Sequence, residues 1–320
     1  MNAQKVSIVI VNYNGKDLLQ TLLKSISKST YKNFEIIIVD NGSSDGSQEF
    51  IKKNHKKIRL VQNKKNLIYS GINSGLKFCR GKYILFLNND MELDKNCIKN
   101  LVKTMESGED AAMIAPKLVN FYNKKLISGG TWVSRAFYNG HIRGNGKNNL
   151  KEMPYLGVGL IKKDFVDMSG YLFDPDYLIY AEDLDLGLRI RLNGKKIIFD
   201  PNSTIYHMHN ATMKNTKTYK ATFLFERNSL ITFFKVLSVK NILLLMPYVF
   251  LMRLVAILKD VITLKFMNSL ARIYAILWVL FHFDLINKKR KQTQKLRKAD
   301  DNFLFKVFSE KQLYKKKFVI

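Results

Sequence analysis

The 320-residue chain is short of acid: 26 Asp and Glu stand against 53 Lys and Arg, a formal net charge of +27. A balance this basic points to a polyanion or an anionic membrane surface as partner. Cysteine is scarce as well, with only Cys79 and Cys97. Neither has the spacing of a zinc ligand. A lone pair in helix-like segments points instead to reduced thiols and a cytosolic setting. No internal repeat is present, and no apolar run makes a clean transmembrane span. The first strand is expected from residue 5 or 6, which leaves no signal peptide ahead of it. No Gly-rich, basic loop follows that strand. The turn is Asn12 to Gly15 with a single Lys16.

Apolar residues are not lacking. They make up 47% of the chain, enough to bury one large or two medium domains. Glu35 to Ser47 reads EIIIVDNGSSDGS. Four β-branched residues, Ile36 to Val39, suit a strand covered on both faces in a parallel sheet. Asp40 then falls at the carboxyl edge, where open α/β sheets place their ligands. Asn41-Gly42 supplies a turn, and Ser44 or Asp45 a helix cap. The segments from Lys5 to Gly15 and from Gly81 to Asp90 repeat the plan of apolar strand and polar turn. The spacing predicts strands near 5–12, 34–40, 58–62 and 82–88, and helices near 16–28, 45–54, 70–79 and 94–106. Such alternation makes a nucleotide site the default. Residues 111–150, with Gly140 to Asn149, read as a β-rich insertion or loop, and 154–212 return to strand, loop, helix and strand.

Beyond residue 213 the composition shifts, with 22 basic against 6 acidic residues. Asn241–Leu264 and Leu270–Ile286 are apolar and helical, but carry Pro247, Arg253, Lys259 and Asp260, and Arg272, His282 and Asp284. Mid-span charge is disfavoured. Amphipathic helices lying in the interface, followed by the basic run Lys288–Lys298, fit better.

Two acidic clusters carry chemistry. Asn88-Asn89-Asp90 ends a strand, where an oxygen ligand can hold a divalent cation against a diphosphate. Ala181 to Arg189 (AEDLDLGLR) opens a helix. There Glu182 and Asp185 are expected on one face and Asp183 on another. A carboxylate aimed into a cleft serves as general base toward a hydroxyl. His207 and His209 follow a strand-like run, Lys196–Asp200, and a turn at Pro201.

In this order and spacing, together with Asn66 to Asn73, Gly75, Gly157, Gly170, Gly194 and Thr212, the segments resemble the family 2 glycosyltransferases. These are inverting enzymes of the GT-A fold, and the rhamnosyltransferase-like subgroup is the nearest in pattern. The resemblance covers roughly residues 5–212. It implies an α/β, Rossmann-like nucleotide-diphospho-sugar transferase fold with a helical, basic, membrane-associating C-terminal region. The division would be a catalytic domain over 1–212 (nucleotide-sugar half about 1–110, acceptor half about 111–212) and a helical region over 213–320. It further implies Asp40 at the nucleobase, with Val11, Asn12 and Tyr13 walling the nucleotide and Asn66, Asn73 and Asn89 beside the donor. Asp90 would hold Mg²⁺ or Mn²⁺ with His207, and Asp183 would be the base with Glu182 on the acceptor side. Ile68 stands where the family often has Gly, and Asn88 where it often has a first Asp.

The implied reaction moves a sugar from dTDP-rhamnose or a UDP-sugar to a cell-surface glycan or lipid-linked saccharide, at the inner face of the cell membrane. Two other classes compete. A sugar nucleotidyltransferase needs the triphosphate loop missing after the first strand. A basic nucleic-acid or membrane-binding protein would explain the charge, but the sequence has no recognisable nucleic-acid module, and no nucleic-acid partner is expected. Homo-oligomer formation is left open.

Overall fold

The computed structural model describes residues 4–108, 110–142, 151–208 and 218–311, with the backbone alone for Lys151 and Thr218. His209, Thr212 and residues 143–149 of the Gly/Asn-rich stretch lie outside the described residues.

Four parallel strands form one half of the main sheet: β1 (Val6–Asn12), β2 (Phe34–Asp40), β3 (Arg59–Gln62) and β4 (Tyr83–Asn88), in spatial order β3-β2-β1-β4. These are the four expected strands. Ile37, Ile38 and Val39 are buried, because β2 lies between two neighbours and is covered on both faces. Helices α1 (Lys16–Ser27) and α2 (Ser47–Asn54) follow β1 and β2. Asp45 secures both starts. One carboxylate oxygen accepts from the Lys16 N–H at 2.8 Å and the other from the Ser47 N–H at 3.1 Å.

The helix expected over 70–79 is shorter. A 3₁₀ turn at Ile68–Ile72 leads into the single turn of α3 (Asn73–Leu76). At Gly75 a Cβ would lie 2.7 Å from the Val39 side chain, so the backbone of this turn lies directly on the sheet.

After β5 (Met91–Leu93) and α4 (Cys97–Glu106) the sheet changes character. It is extended by β6 (Ala111–Asn120), β7 (Leu126–Ser128), β10 (Lys151–Glu152), β11 (Gly159–Lys162) and β12 (Lys196–His207), while β8 (Thr131–Val133) and β9 (Asn139–His141) pair separately. β11 runs antiparallel between β4 and β6, and β12 is parallel to β6. The turn expected at Pro201 is a bulge inside one strand. The register shifts between Asp200 and Thr204, where Pro201 has no N–H for the ladder, and β12 then continues to His207.

Helices α5 (Lys163–Ser169) and α6 (Glu182–Leu192) precede β12. The rest is helical: α7 (Thr218–Val236), α8 (Val239–Ile262), α9 (Phe266–Phe281), α10 (Phe283–Gln294) and α11 (Asp301–Phe305). The expected helix over 270–286 is bent by 72° between α9 and α10, at His282. From Asn228 to Leu237 the α7 segment is buried throughout. A second core joins α6 residues Leu184, Leu188 and Leu192 to Leu230, Phe233, Val249, Val279 and Leu304. Cys79 and Cys97 are free and buried, and burial pushes the Cys79 thiol up to about 12.

Candidate active site

The parallel half of the sheet reverses its strand order at β1, which has β2 on one side and β4 on the other. Open α/β sheets bind ligands in the crevice this creates at the carboxyl ends. Here it is a cleft of about 530 Å³. Val11, Asn12 and Tyr13 line it from the end of β1, and Asn88, Asn89 and Asp90 from the end of β4. Asn66, Glu182, Asp183 and His207, also predicted, line it as well.

Asp40 and Asn73 are not among the lining residues. The Asp40 carboxylate is fully buried. It accepts from Asn12 Nδ2 (2.9 Å), the Ser43 N–H (2.9 Å), Ser43 Oγ (2.6 Å) and Gln48 Nε2 (2.7 Å). Asn12 in turn accepts from Asn89 Nδ2 at 2.8 Å. A buried polar chain therefore connects Asp40 to the cleft floor. Asn73 is a stitch: its amide donates to the Phe173 carbonyl at 2.7 Å and accepts from the Leu172 N–H at 2.9 Å. Ile68, at the departure from the family pattern, has φ +50° and lines the cleft. That is left-handed backbone, costly for a β-branched residue and free for Gly.

Asp90 Oδ2 lies 3.1 Å from His207 Nε2, brought together by the antiparallel pairing of β5 with β12. Asp90 Oδ1 is buried without a hydrogen-bond partner. An orphaned carboxylate oxygen beside an imidazole fits a divalent cation. Among the described residues no group of three His, Cys, Asp or Glu side chains completes a metal shell. Two protein donors would therefore share the ion with oxygens from a ligand or water.

The acidic helix start departs from the expected facing. Glu182 and Asp183 both reach the cleft, while Asp185 is buried in the protein. The first two residues of α6 project from the helix end that abuts the cleft. Asp185, one turn in, meets Arg189 Nε and Lys235 Nζ, each at 2.8 Å. Burial raises Asp183 up to about 6. Burial, then the neighbouring Asp183 charge, holds Glu182 well above the carboxylate range. Both carboxyls are therefore raised, and because they share one buried site they titrate as a pair that disfavours two negative charges at once. Gly187 keeps α6 close to its support, since a Cβ there would lie 2.2 Å from the Pro154 carbonyl oxygen.

The lead into α6 is strained, with Leu178, Tyr180 and Ala181 all at positive φ (58°, 69° and 61°). Asn228 of α7 holds it. Its amide nitrogen faces the carbonyls of Tyr177, Ile179 and Tyr180 at 2.9, 3.0 and 2.7 Å. Lys235 and Lys289 each meet Asp174 at 2.6 Å at the base of the same loop. The residue-pattern reading did not find Asn228, nor the lining residues Tyr69, Tyr155, Tyr180 and Phe225. Phe225 and Asn228 arrive from a helix distant in sequence from the motifs, while Tyr69, Tyr155 and Tyr180 lie within or beside them as aromatic residues that no spacing singles out.

The family model for glycosyl transferase family 2 matches residues 7–164. Over 247 residues the chain is 25% identical to an uncharacterized glycosyltransferase of Haemophilus influenzae, covering 69% of this chain and 75% of that protein. It is 37% identical over 105 residues to the Escherichia coli UDP-Glc:alpha-D-GlcNAc-diphosphoundecaprenol beta-1,3-glucosyltransferase WfaP, covering 32% of this chain and 41% of that one. An uncharacterized glycosyltransferase of Rickettsia conorii is 37% identical over 108 residues, 33% of this chain but 18% of that relative's length. Two structures share the fold. GalNAc-T7, solved with UDP, GalNAc and Mn²⁺, matches with a TM-score of 0.60 at 18% identity, over 72% of this chain and 48% of that one. Staphylococcus aureus TarS 1-349, solved with UDP, matches with a TM-score of 0.53 at 16% identity, over 72% and 66%. The sheet, curled from a parallel into a mixed half and followed by helices, is the GT-A fold. Motif order, fold and sequence likeness converge on one conclusion: residues 7–164 are a glycosyl transferase family 2 domain, and the family is one of enzymes of the transferase class.

Proposed function

We propose that the protein is an inverting glycosyltransferase. It would move a sugar from a UDP-sugar or dTDP-rhamnose to a hydroxyl of a lipid-linked saccharide or cell-surface glycan. The observation that carries this reading is the carboxylate pair Glu182 and Asp183 at the start of α6, lining one cleft with Asn88, Asn89 and Asp90 at the end of β4. The catalytic part would span residues 1–212, with Phe225 of α7 lining its cleft and Asn228 bracing the loop into α6 from the helical region. Val11, Asn12, Tyr13 and Asn66 would wall the nucleotide, and Asp40 would act on the base through or beside Asn12. Asn73 would hold the donor-side loop.

Asp183, ionised near neutrality, takes the proton of the acceptor hydroxyl. That oxygen forms its bond to the anomeric carbon while the bond to the diphosphate oxygen breaks, and the nucleoside diphosphate leaves with the electron pair. One displacement inverts the carbon without a covalent intermediate. Glu182, protonated, can donate a hydrogen bond to the acceptor. Asp90 and His207 would hold Mg²⁺ or Mn²⁺. When bound, such an ion supplies Lewis-acid stabilisation to the leaving diphosphate. The relatives support the substrate classes: WfaP is named for a UDP-sugar and a diphosphoundecaprenol-linked acceptor, and GalNAc-T7 was solved with Mn²⁺. A lipid-linked acceptor would place the enzyme on the cytoplasmic face of the membrane.

The test is release of nucleoside diphosphate from a panel of UDP-, dTDP- and GDP-sugars, with Mn²⁺, with Mg²⁺ and with EDTA. Release from one donor that EDTA abolishes is the expected result. No release from any donor, with no nucleotide-induced thermal shift, would overturn the reading. A second prediction concerns pH. Because Asp183 must be ionised to act, kcat/KM should rise with pH through about 6. A profile flat from pH 5 to 8 would remove Asp183 from the role of base.

A further inference from the structure

Helices α8 and α9 are built inside out. The exposed residues of α8 beyond its first turn are Leu243, Leu244, Pro247, Leu251, Leu254, Val255, Leu258, Val261 and Ile262. Those of α9 are Phe266, Met267, Leu270, Ile273, Tyr274, Leu277, Leu280 and Phe281. None carries a charge. Three of the charges face inward: Arg253 and Asp260 of α8 and Arg272 of α9 are buried, while Lys259 in the last turn of α8 is half-exposed. They converge on the buried Glu226 of α7. Arg253 Nε lies 3.2 Å from Glu226 Oε2, Arg272 pairs with Glu226 Oε1, and Arg272 Nε lies 2.8 Å from Asp260 Oδ2. A helix on a water-soluble domain shows the opposite arrangement, polar outward and apolar toward the core.

This alters the meaning of the charges that counted against membrane contact in the sequence. Arg253, Asp260 and Arg272 are paired within the protein; Lys259 stays half-exposed in the last turn of α8, at the end of an otherwise apolar outer face, where a long side chain can reach the headgroups. Helix α8 is long and apolar enough to cross a membrane, yet 22% of its apolar window is buried in the protein. A core helix would be mostly buried.

We infer that the outer face of the α8–α9 hairpin embeds in the hydrocarbon layer of an anionic bilayer. One flank rests on α7, and the internal ion cluster fixes the pair to the enzyme. Charge selects lipid over a second copy of the chain. Lys240 and Lys265 stand exposed at the ends of α8, and Lys288 and Lys291 just past the bend into α10, with Asp284 the acid beside them. Two such faces meeting would bring these lysines together, whereas anionic headgroups neutralise them. The placement suits the site. Tyr248 and Met252 of α8 pack with Trp132, Tyr138 and the cleft residue Phe225, and Arg253 donates to the Ala136 carbonyl at 3.0 Å. The membrane face is thereby coupled to the β8–β9 side of the cleft. The inference deepens the proposed membrane location, but does not depend on the transfer chemistry.

The test uses the full chain and vesicle flotation, with phosphatidylcholine alone and with 30% phosphatidylglycerol (roughly a bacterial anionic load), at low and high salt. Wild type should float with the anionic vesicles. Leu254→Glu with Leu277→Glu, both on the outer face, should lower partitioning at least tenfold while keeping the wild-type melting curve. Lys288→Gln with Lys291→Gln should weaken binding chiefly at low salt. A wild type that remains monomeric and does not float overturns the inference. So does a salt-stable dimer that the double Glu variant breaks while vesicles capture nothing. Flotation without glycosyl transfer from any donor would uphold this inference and sink the proposed activity. Transfer to a water-soluble acceptor without flotation would do the reverse.

Discussion

Asp183→Asn is expected to lower turnover by ~10²–10⁴-fold while leaving donor affinity close to wild type. The substitution preserves size but removes the charge and the basic oxygen that would take the proton. The Asp183 carboxylate is held up to about 6 because burial opposes its charge. Sign follows from this. A carboxyl raised in the folded state contributes stability below its unfolded value and loses it as pH rises through about 6. At pH 7 the ionised group therefore costs stability, and the Asn variant should melt at or above the wild-type temperature. Single-turnover kinetics, an isotherm for the nucleoside diphosphate and a melting curve test the three parts. A variant with full rate would show that another group is the base.

The second large effect lies two residues away and is of the opposite kind. Asp185→Ala should cost about 3–5 kcal/mol of stability, because it leaves two fully buried cations, Arg189 and Lys235, short of a partner. For a chain of this size that corresponds to a fall in Tm on the order of 10 °C. Arg189 retains Ser169 Oγ and the Leu172 carbonyl, and Lys235 retains Asp174, so the fold is expected to survive at low temperature. Calorimetry of the purified variant decides the matter. A melting point within 2 °C of wild type (under about 1 kcal/mol) would mean that the buried cluster holds little of the stability assigned to it.

These neighbours show what could be read from sequence. The motif Glu182-Asp183-Leu184-Asp185 announced a site, because acids cluster at few places other than helix starts and clefts. Spacing alone could not say which acid faces outward, since that depends on where the helix axis points and on Lys235, fifty residues on. The parallel strands were legible because Ile36–Val39 and Tyr83–Leu87 are unbroken apolar runs with polar ends. The helix over 70–79 is shorter than its pattern implies, and the close approach of Gly75 to Val39 that packs it on the sheet leaves no trace in the local sequence. Pro201 looked like a strand end, but a bulge absorbs it. The polarity of α8 and α9 was legible as composition and not as direction. Pairing with Glu226 is a long-range fact with no periodic trace.

The Asn228 amide has a consequence for how variants of this protein are interpreted. It carries no charge, sits outside the cleft lining and belongs to a helix with no catalytic motif, yet it sets the backbone from which Glu182 and Asp183 project. In a mutational scan, position 228 will therefore group with the active site and not with the hydrophobic helix around it. Aspartate offers no donor to the three carbonyls, and glutamine adds a methylene to a filled space. The map of functional constraint in this chain will extend along α7 well past the last residue that can touch a sugar.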